Sequence, residues 1–258
     1  MNALVAMARR IGLHVDGRPF VVAHRGASRW APENTITSLD LAIEHGADAV
    51  EFDVRVTADE ELVLMHDARL GRTVPDTRLV ARVQADAITT LDAGKWLSHE
   101  FRGELVPLLD EALTTLSGRA IPIIEVKDGG TLGVLAAKIL GEKLAAADMK
   151  DKALVASAWT EVLEAMSTIS PRTPRVCVAA RHATALEALE NDLCSGCLVW
   201  WRAFAPDLVE TARTRRKFVA PWVVPNDRVQ LLADAGVDAI LTDEPKSALQ
   251  ILEGAEPS

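Results

Sequence analysis

Two neighbouring stretches decide how this chain folds: VVAHRGASRWAPENT at 21–35 and GADAVEFDVRVTADEELVLMHDARLGRT at 46–73. Each contains an apolar run that ends in a histidine, His24 in the first and His66 in the second. Between the histidines, Glu51 and Asp53 stand two residues apart within AVEFDV, so both side chains face the same side of a strand. Because neighbouring carboxylates repel each other, the pair predicts a positive partner such as a divalent metal ion.

Short apolar runs typical of strands alternate with helical patterns along nearly all of the 258 residues. The predicted strands cover residues 20–24, 49–54, 62–66, 121–126, 153–158, 175–179, 197–201, 218–224 and 239–243. The predicted helices cover residues 34–46, 107–117, 131–147, 160–168, 184–191, 206–215, 226–235 and 245–252. Such alternation predicts an α/β fold, the parallel (β/α)8 TIM barrel, and an open doubly wound sheet is the alternative.

Nine predicted strands are one more than this barrel needs. Residues 49–54 and 62–66 are too close for a crossover helix between them, so we expect a hairpin-like unit with one part outside the alternation. Residues 67–106 follow without a regular pattern, and long loops in compact domains are usually functional. We therefore predict a single domain, residues 1–258, with a small insertion or lid at about 67–106 after the second strand.

Ionisable residues stand where the predicted strands end, and in a parallel barrel that end carries the catalytic residues. The residues at such positions are His24, Glu51, Asp53, His66, Glu125 and Lys127. Three carboxylates suit Mg²⁺ or Ca²⁺, which prefer oxygen ligands, better than zinc. The competing interpretation makes the acids surface residues or ion-pair partners of Arg25, Arg55 and Lys127. Burial of such acids inside apolar parallel strands, without compensation, argues for the metal.

The basic residues around the acids also have more than one interpretation. Arg25 and Lys127 donate hydrogen bonds and carry full charge, so they can hold a phosphate, pair with the acids, or do both. His24 and His66 are candidates for general base and general acid, because both follow strands and flank the acidic residues. The other histidines lack this context and are expected at the surface or in structural roles: His14, His45, His99 and His182.

Composition argues against several classes of function. The net charge of −9 lacks the basic footprint of a nucleic-acid binder and disfavours docking on anionic membranes. No stretch approaches the ~20 apolar residues of a membrane span, and residues 1–17 lack the pattern of a signal peptide. Three cysteines form no disulfide framework, and an odd number fits a reducing compartment. We therefore expect a cytoplasmic chain with no stable membrane anchor and no nucleic-acid partner.

A set of motifs extends over nearly the whole chain. They are AHRGAS, APENT, GADxxExD at 46–53, TxD at 57–59, MHD at 65–67, LxRT at 70–73, DAGKW at 92–96, VPLLDEAL at 106–113, the ExK of IIEVK, and GVDAILTDEP at 236–245. Together they resemble the glycerophosphodiester phosphodiesterase family, and the N-terminal motifs are the most specific. The resemblance implies a (β/α)8 barrel that hydrolyses a small-molecule glycerophosphodiester to glycerol 3-phosphate and an alcohol.

The resemblance also implies the roles of individual residues. The implied metal ligands are Glu51, Asp53 and Glu125, which would hold one divalent cation, Mg²⁺ or Ca²⁺. The implied catalytic residues are His24 and His66. The implied substrate-binding residues are Arg25, Lys127 and Trp222. The attacking oxygen is that of water or of the glycerol 2-hydroxyl.

One departure from the family pattern bears on the substrate, and two alternative functions stay open. Trp222 is followed by Val223-Val224-Pro225-Asn226 where the family commonly has Thr-Val-Asn, and this difference concerns the alcohol part of the substrate. One alternative is a lysophospholipase D-type phosphodiesterase, favoured by an apolar rim near Trp200, Trp201 and Phe204. The other is a non-catalytic phosphate-binding barrel. No oligomeric state follows from the sequence.

Overall fold

Eight parallel strands and one short antiparallel strand form the sheet of the computed structural model, which describes residues 2–10 and 17–255. The strands are β1 (Phe20–His24), β2 (Ala49–Val56), β3 (Leu62–Leu64), β4 (Ile121–Val126), β5 (Leu154–Ser157), β6 (Arg175–Ala179), β7 (Gly196–Trp200), β8 (Phe218–Trp222) and β9 (Ala239–Thr242). The parallel strands follow the order β8-β7-β6-β5-β4-β2-β1-β9 around the sheet.

The two ends of this order meet, so the sheet curls into a nearly closed barrel. The backbone N–H of Asp238 donates to the carbonyl oxygen of Val219 at 3.1 Å, and that of Val224 donates to Leu241 at 2.8 Å. These bonds join the β8 and β9 regions and confirm the (β/α)8 barrel over the open doubly wound sheet. Strand β3 pairs antiparallel with β2, which is the expected hairpin-like unit.

Helices connect the strands and cover the outside of the barrel. They are α1 (Ala3–Arg10), α2 (Ile36–Glu44), α3 (Ala85–Ile88), α4 (Leu109–Leu116), α5 (Gly130–Ala146), α6 (Thr160–Ile169), α7 (His182–Glu190), α8 (Asp207–Arg215), α9 (Asn226–Asp234) and α10 (Pro245–Leu252). Predicted strands and helices are all found, with ends displaced by one or two residues. Within the described ranges, no helix is both long enough and apolar enough to cross a membrane.

Alternate residues of each strand face the helices or the barrel interior. In β2, the outward residues Val50, Phe52 and Val54 pack in one apolar cluster with residues of α4 and α5. Ala49 faces inward and packs in a second cluster with the interior residues of the other strands, such as Ile123. Because apolar side chains fill the body of the barrel, inward-facing polar residues are left to the carboxyl ends of the strands.

Helix α1 packs at the amino end of the barrel and was not predicted. Met7 and Ala8 are buried and belong to the interior apolar cluster, and Asn2 Nδ2 donates to Asp238 Oδ1 at 2.7 Å, just before β9. This helix lies outside the strand–helix alternation, so that pattern gave no sign of it. Of the stretch considered for a signal peptide, residue 1 and residues 11–16, which include His14, lie outside the described residues.

Residues 65–108 form the insertion after the β2–β3 hairpin. They contain α3 and two short 3-10 helices, Val80–Arg82 and His99–Phe101, which are too short to produce a recognisable sequence period. The insertion has its own apolar cluster, which includes Met65, Val80 and Ile88. It is therefore an ordered, packed unit, and a role as a lid stays a prediction.

The outward face of β2 gives a stability prediction. Phe52 is fully buried between the barrel and its helices, so Phe52→Ala should lower the free energy of unfolding by about 3–5 kcal/mol through lost burial and a residual cavity. Urea denaturation measures this. Val134→Ala, on the exposed side of α5, is the matched control and should change stability by less than about 0.5 kcal/mol. Equal effects of the two substitutions would contradict the layer assignment.

Candidate active site

Three carboxylates converge inside the barrel at the carboxyl ends of β2 and β4. Glu51 and Asp53 continue the inward face of β2, and Glu125 stands beside Asp53 in the parallel register of β4. One oxygen from each carboxylate lies within 4.8 Å of the others. His24 ends β1 in register with Glu51. The structure thus brings together residues that the sequence placed at three separate strand ends.

The donor set fits a hard divalent cation. Glu51 Oε1 and Asp53 Oδ1 are buried and have no hydrogen-bond partner, and unpaired buried carboxylate oxygens are costly. Burial, together with the charge of Asp53, raises the pKa of Glu51 to about 8. A cation bound to these oxygens would remove both penalties, and an all-oxygen donor set favours Mg²⁺ or Ca²⁺ over zinc.

Basic and amide groups compensate the remaining charge of Asp53. Asn34 Nδ2 donates to Asp53 Oδ2 at 2.8 Å, and the Asp53 backbone N–H donates to Asn34 Oδ1 at 3.0 Å. Arg25 Nε lies 3.2 Å from Asp53 Oδ2, and Lys127 Nζ donates to Glu125 Oε1 at 2.7 Å. Burial alone would raise the pKa of Asp53, but the charges of Arg25 and Lys127 lower it. Lys127 Nζ also lies 3.6 Å from Asp53 Oδ1. Ion pairing therefore accounts for part of the acidic cluster, and among the described residues Glu51 Oε1 is left without a hydrogen-bond partner.

A sharp turn after β1 places Arg25 beside the acids. Arg25 has φ of 56° and Gly26 has φ of 81°, a left-handed pair in which only glycine fits the second position. A Cβ at Gly26 would lie 2.4–2.5 Å from atoms of Ser38 in α2. The Asn34 backbone N–H donates to the Arg25 carbonyl at 3.1 Å. The HRG and PENT motifs thus form one turn, in which Thr35 also caps α2.

His24 is oriented by a carboxylate from the last strand of the barrel. Its Nδ1 lies 2.7 Å from Asp243 Oδ1, which also accepts a hydrogen bond from Ser28 Oγ at 2.9 Å. With Nδ1 donating to Asp243, Nε2 is left to exchange a proton. Burial opposes the charged ring, but the bond to Asp243 and the charge of Glu51 raise the pKa of His24 above its ordinary value. A cation on Glu51 would offset the last contribution.

His66 is held by a charged network that runs through the insertion. Its Nδ1 lies 2.8 Å from Asp67 Oδ1, and Arg72 Nε donates to Asp67 Oδ2 at 2.6 Å. The Arg72 guanidinium also donates two 2.7 Å bonds to the two carboxylate oxygens of Glu33, which in turn accepts from Arg25 at 2.9 Å. Burial lowers the pKa of His66, and the charge of Asp53 only partly opposes this. In both histidines Nδ1 is bound to a carboxylate and Nε2 is left to exchange a proton. The carboxylate comes from the end of the barrel sheet for His24 and from the insertion for His66.

Tryptophans surround the same end of the barrel. Trp222 ends β8 in register with Trp200 of β7, and its Nε1 is buried without a partner. Trp159 follows β5 and donates its Nε1 to the Lys127 carbonyl at 3.2 Å. Trp30, Trp159 and Trp200 are 49%, 47% and 40% exposed. The sequence analysis missed Trp30 and Trp159, although each follows a strand end, which was the available signal.

Several other residues take structural positions. Arg55, a suggested partner of the acids, instead pairs with Asp128 and donates to the His66 carbonyl at 2.8 Å. His182 binds Asp207 on the surface, and His99 is exposed. Sequence reasoning noted Asp243 only as a strand end and did not place Asp67 or Arg72 in the site. Their contacts join residues from distant parts of the chain.

Comparison with known proteins agrees with this geometry. The family model described as "Glycerophosphoryl diester phosphodiesterase family" matches residues 24–247. The glycerophosphodiester phosphodiesterase of Caldanaerobacter subterraneus subsp. tengcongensis is 28% identical over 242 residues, covering 91% of this chain and 98% of the relative. The enzyme of the same name from Bacillus subtilis is 28% identical over 270 residues, covering 97% and 92%.

Two solved structures have the same fold as this chain over most of its length. A phosphodiesterase from Oleispira antarctica, in complex with the product sn-glycerol-3-phosphate, is 28% identical with a TM-score of 0.85, covering 92% of this chain and 97% of that one. A glycerophosphodiester phosphodiesterase from Agrobacterium tumefaciens is 29% identical with a TM-score of 0.78, covering 88% and 97%. With a family match over most of its length, this chain belongs to the glycerophosphoryl diester phosphodiesterase family.

Proposed function

We propose that this chain is a metal-dependent enzyme that hydrolyses glycerophosphodiesters to glycerol 3-phosphate and an alcohol. The observation that carries the proposal is the convergence of Glu51, Asp53 and Glu125, within 4.8 Å of one another, beside His24. The Oleispira antarctica relative, whose structure holds sn-glycerol-3-phosphate, supports the same class of product. Membership of the family supports the same reaction.

The acids and the basic residues have separate tasks in this reaction. Glu51, Asp53 and Glu125 would hold one Mg²⁺ or Ca²⁺, which when bound neutralises phosphate charge as a Lewis acid. Arg25 and Lys127 lie against the same acids and would bind the phosphate oxygens by charged hydrogen bonds. Burial would lower the pKa of Lys127, but Asp53 and Glu125 raise it, so its ammonium stays charged.

The two histidines would move the protons. His24 takes a proton from the attacking oxygen, of water or of the glycerol 2-hydroxyl, as that oxygen forms its bond to phosphorus. His66 gives a proton to the alcohol oxygen as its bond to phosphorus breaks. Where the 2-hydroxyl attacks, this step gives a cyclic phosphate, and water must then bond to its phosphorus while the 2-oxygen leaves and takes up a proton, to give glycerol 3-phosphate. Asp243 and Asp67 keep the rings oriented through their Nδ1 atoms. This assignment places both proton transfers at Nε2 atoms.

The first test is release of glycerol 3-phosphate from glycerophosphocholine, glycerophosphoethanolamine and glycerophosphoglycerol, with Mg²⁺, with Ca²⁺ or with EDTA. We expect release with at least one cation and its loss in EDTA, because the acidic cluster needs a positive charge. Calorimetric titration of the ion should show one site, which Asp53→Asn weakens strongly. Undiminished turnover in EDTA would contradict the metal role, and absence of turnover on every diester would contradict the proposed reaction.

A second prediction separates the roles of the histidines. His24→Ala and His66→Ala should each lower kcat on glycerophosphocholine by ~10²–10⁴ with folding intact. A second substrate is the glycerophosphodiester of 4-nitrophenol, whose 4-nitrophenolate anion leaves without being protonated. On this substrate the kcat of His66→Ala should return most of the way to the wild-type value, and the kcat of His24→Ala should stay low. His99→Ala, an exposed histidine, is the control. The reverse pattern would exchange the two roles.

Lysophospholipids are a second candidate substrate class, and the exposed Trp30, Trp159 and Trp200 favour it. Indole rings suit the boundary between an apolar chain and water. If this class is used, turnover of lysophosphatidylcholine should exceed that of glycerophosphocholine, and Trp200→Ala should lower only the former, roughly 3- to 10-fold. Leu231→Ala, at an exposed apolar residue of α9, serves as control. Equal losses on both substrates would contradict this second candidate.

A further inference from the structure

A second cavity lies in the insertion, separate from the acidic cluster. Its volume is about 460 Å³, within the range of small-molecule sites. It opens between the chain segment that follows Asp67 and the segment that contains the DAGKW motif. Its wall includes Arg72, Thr73, Asp92, Lys95, Trp96 and Arg102. Nothing in the reaction proposed above uses it.

Positive charge dominates the wall of this cavity. Lys95 and Arg102 are exposed. Within residues 2–10 and 17–255 neither forms a salt bridge, although the pKa of Asp92 is lowered by backbone hydrogen bonds and also by the charge of Lys95. The single carboxylate of the wall, Asp92, is taken up by the backbone: it accepts from the N–H groups of Gly94, Lys95 and Gly103 at 2.8–3.0 Å. In a chain of net charge −9, two unpaired cations facing one cavity indicate an anionic ligand.

The cavity adjoins the side of the active site that holds His66. Arg72 lines the cavity and also binds Asp67, the carboxylate that orients the His66 ring. Thr73 lines the cavity too, and it lines a small void whose wall includes His66. Arg72 and Thr73 therefore border both the cavity and the surroundings of the histidine assigned to the leaving alcohol.

The aromatic wall is fixed in place. Trp96 Nε1 donates to the Ala93 carbonyl at 2.8 Å, and its ring is still 40% exposed. An anchored ring of this kind can pack against the carbon skeleton of a polyol while the cations bind its charged group. The combination suits a short alcohol that carries an acidic substituent.

We propose that this cavity binds the alcohol portion of the substrate and selects diesters whose alcohol carries a phosphate or carboxylate group. Lys95 and Arg102 would bind that anion, with Trp96 against the carbon chain. The inference rests on the proposed function, because it takes the His66 side to be the side of the leaving alcohol.

The test compares three diesters that share the glycerophosphoryl group: glycerophosphocholine, glycerophosphoglycerol, and glycerophosphoglycerol bearing a terminal phosphate. The double variant Lys95→Gln/Arg102→Gln should lower kcat/KM on the phosphate-bearing diester roughly 10- to 100-fold, through loss of two charged hydrogen bonds. The kcat/KM of this double variant on glycerophosphoglycerol should stay within about twofold of the wild-type value. Lys138→Gln/Arg172→Gln removes the same charge from two exposed positions elsewhere and should leave all three substrates unchanged.

The outcomes separate this inference from the proposed function. In one outcome the wild-type chain hydrolyses glycerophosphoglycerol, while the Lys95→Gln/Arg102→Gln variant loses no more kcat/KM on the phosphate-bearing diester than on glycerophosphoglycerol. That result would contradict the inference and leave the proposed function standing. If inorganic phosphate alters wild-type turnover of glycerophosphoglycerol through Lys95 and Arg102, without any preference for the phosphate-bearing diester, the cavity binds a free anion and the inference is wrong. If the wild type hydrolyses none of the three, the proposed function falls and takes the inference with it.

Discussion

Repulsion among three buried carboxylates is the constraint on which this structure depends. Strand pairing fixes Asp53 beside Glu125 and His24 beside Glu51, so the acids cannot separate without breaking the barrel. Arg25 and Lys127 partly neutralise the negative charge of the acids, and the side-chain amide of Asn34 donates a hydrogen bond to Asp53. Asp53 Oδ1 lies 3.6 Å from Lys127 Nζ, but Glu51 Oε1 is left without a hydrogen-bond partner among the described residues. A cation bound there would offset the cost of that oxygen, because an unpaired buried charge is among the most costly defects in a fold.

Much of the fold and of the acidic cluster could be predicted from the sequence, because the prediction needed only the periodicity of each strand and the order of the strands. A strand has a period of two, so Glu51 and Asp53 had to share a face, and Glu125 and Lys127 had to share one too. Parallel strands in a barrel bring their carboxyl ends together, which put His24 and all three acids at one place. His66 reaches them by another route, because it follows β3, which runs antiparallel to β2. The β2–β3 hairpin was predictable because the seven residues 55–61 between the predicted strands leave no room for a crossover helix. None of these steps needed knowledge of side-chain contacts.

Contacts between distant residues were beyond this reasoning. Asp243 meets His24 across 219 residues, and Arg72 meets Glu33 across 39, through loops whose paths no periodicity describes. Helix α1 was missed because it precedes the alternation and packs against the amino end of the barrel, where its apolar residues had no predicted partner. The insertion could be located by its lack of pattern, but its fold rests on an apolar cluster built from irregular segments.

The two histidines belong to different parts of the architecture, and this difference bears on how the site can change. His24 is fixed by the barrel itself: it ends β1, and its partner Asp243 immediately follows β9, the neighbouring strand. His66 stands where the β2–β3 hairpin gives way to the insertion, and its partners Asp67 and Arg72 belong to that insertion. Changes in the insertion can therefore reshape the surroundings of His66 while strand pairing keeps the acids and His24 in place. The positions of the acids and of His24 thus depend on the barrel, whereas the orientation of His66 depends on the insertion, and the two can change separately.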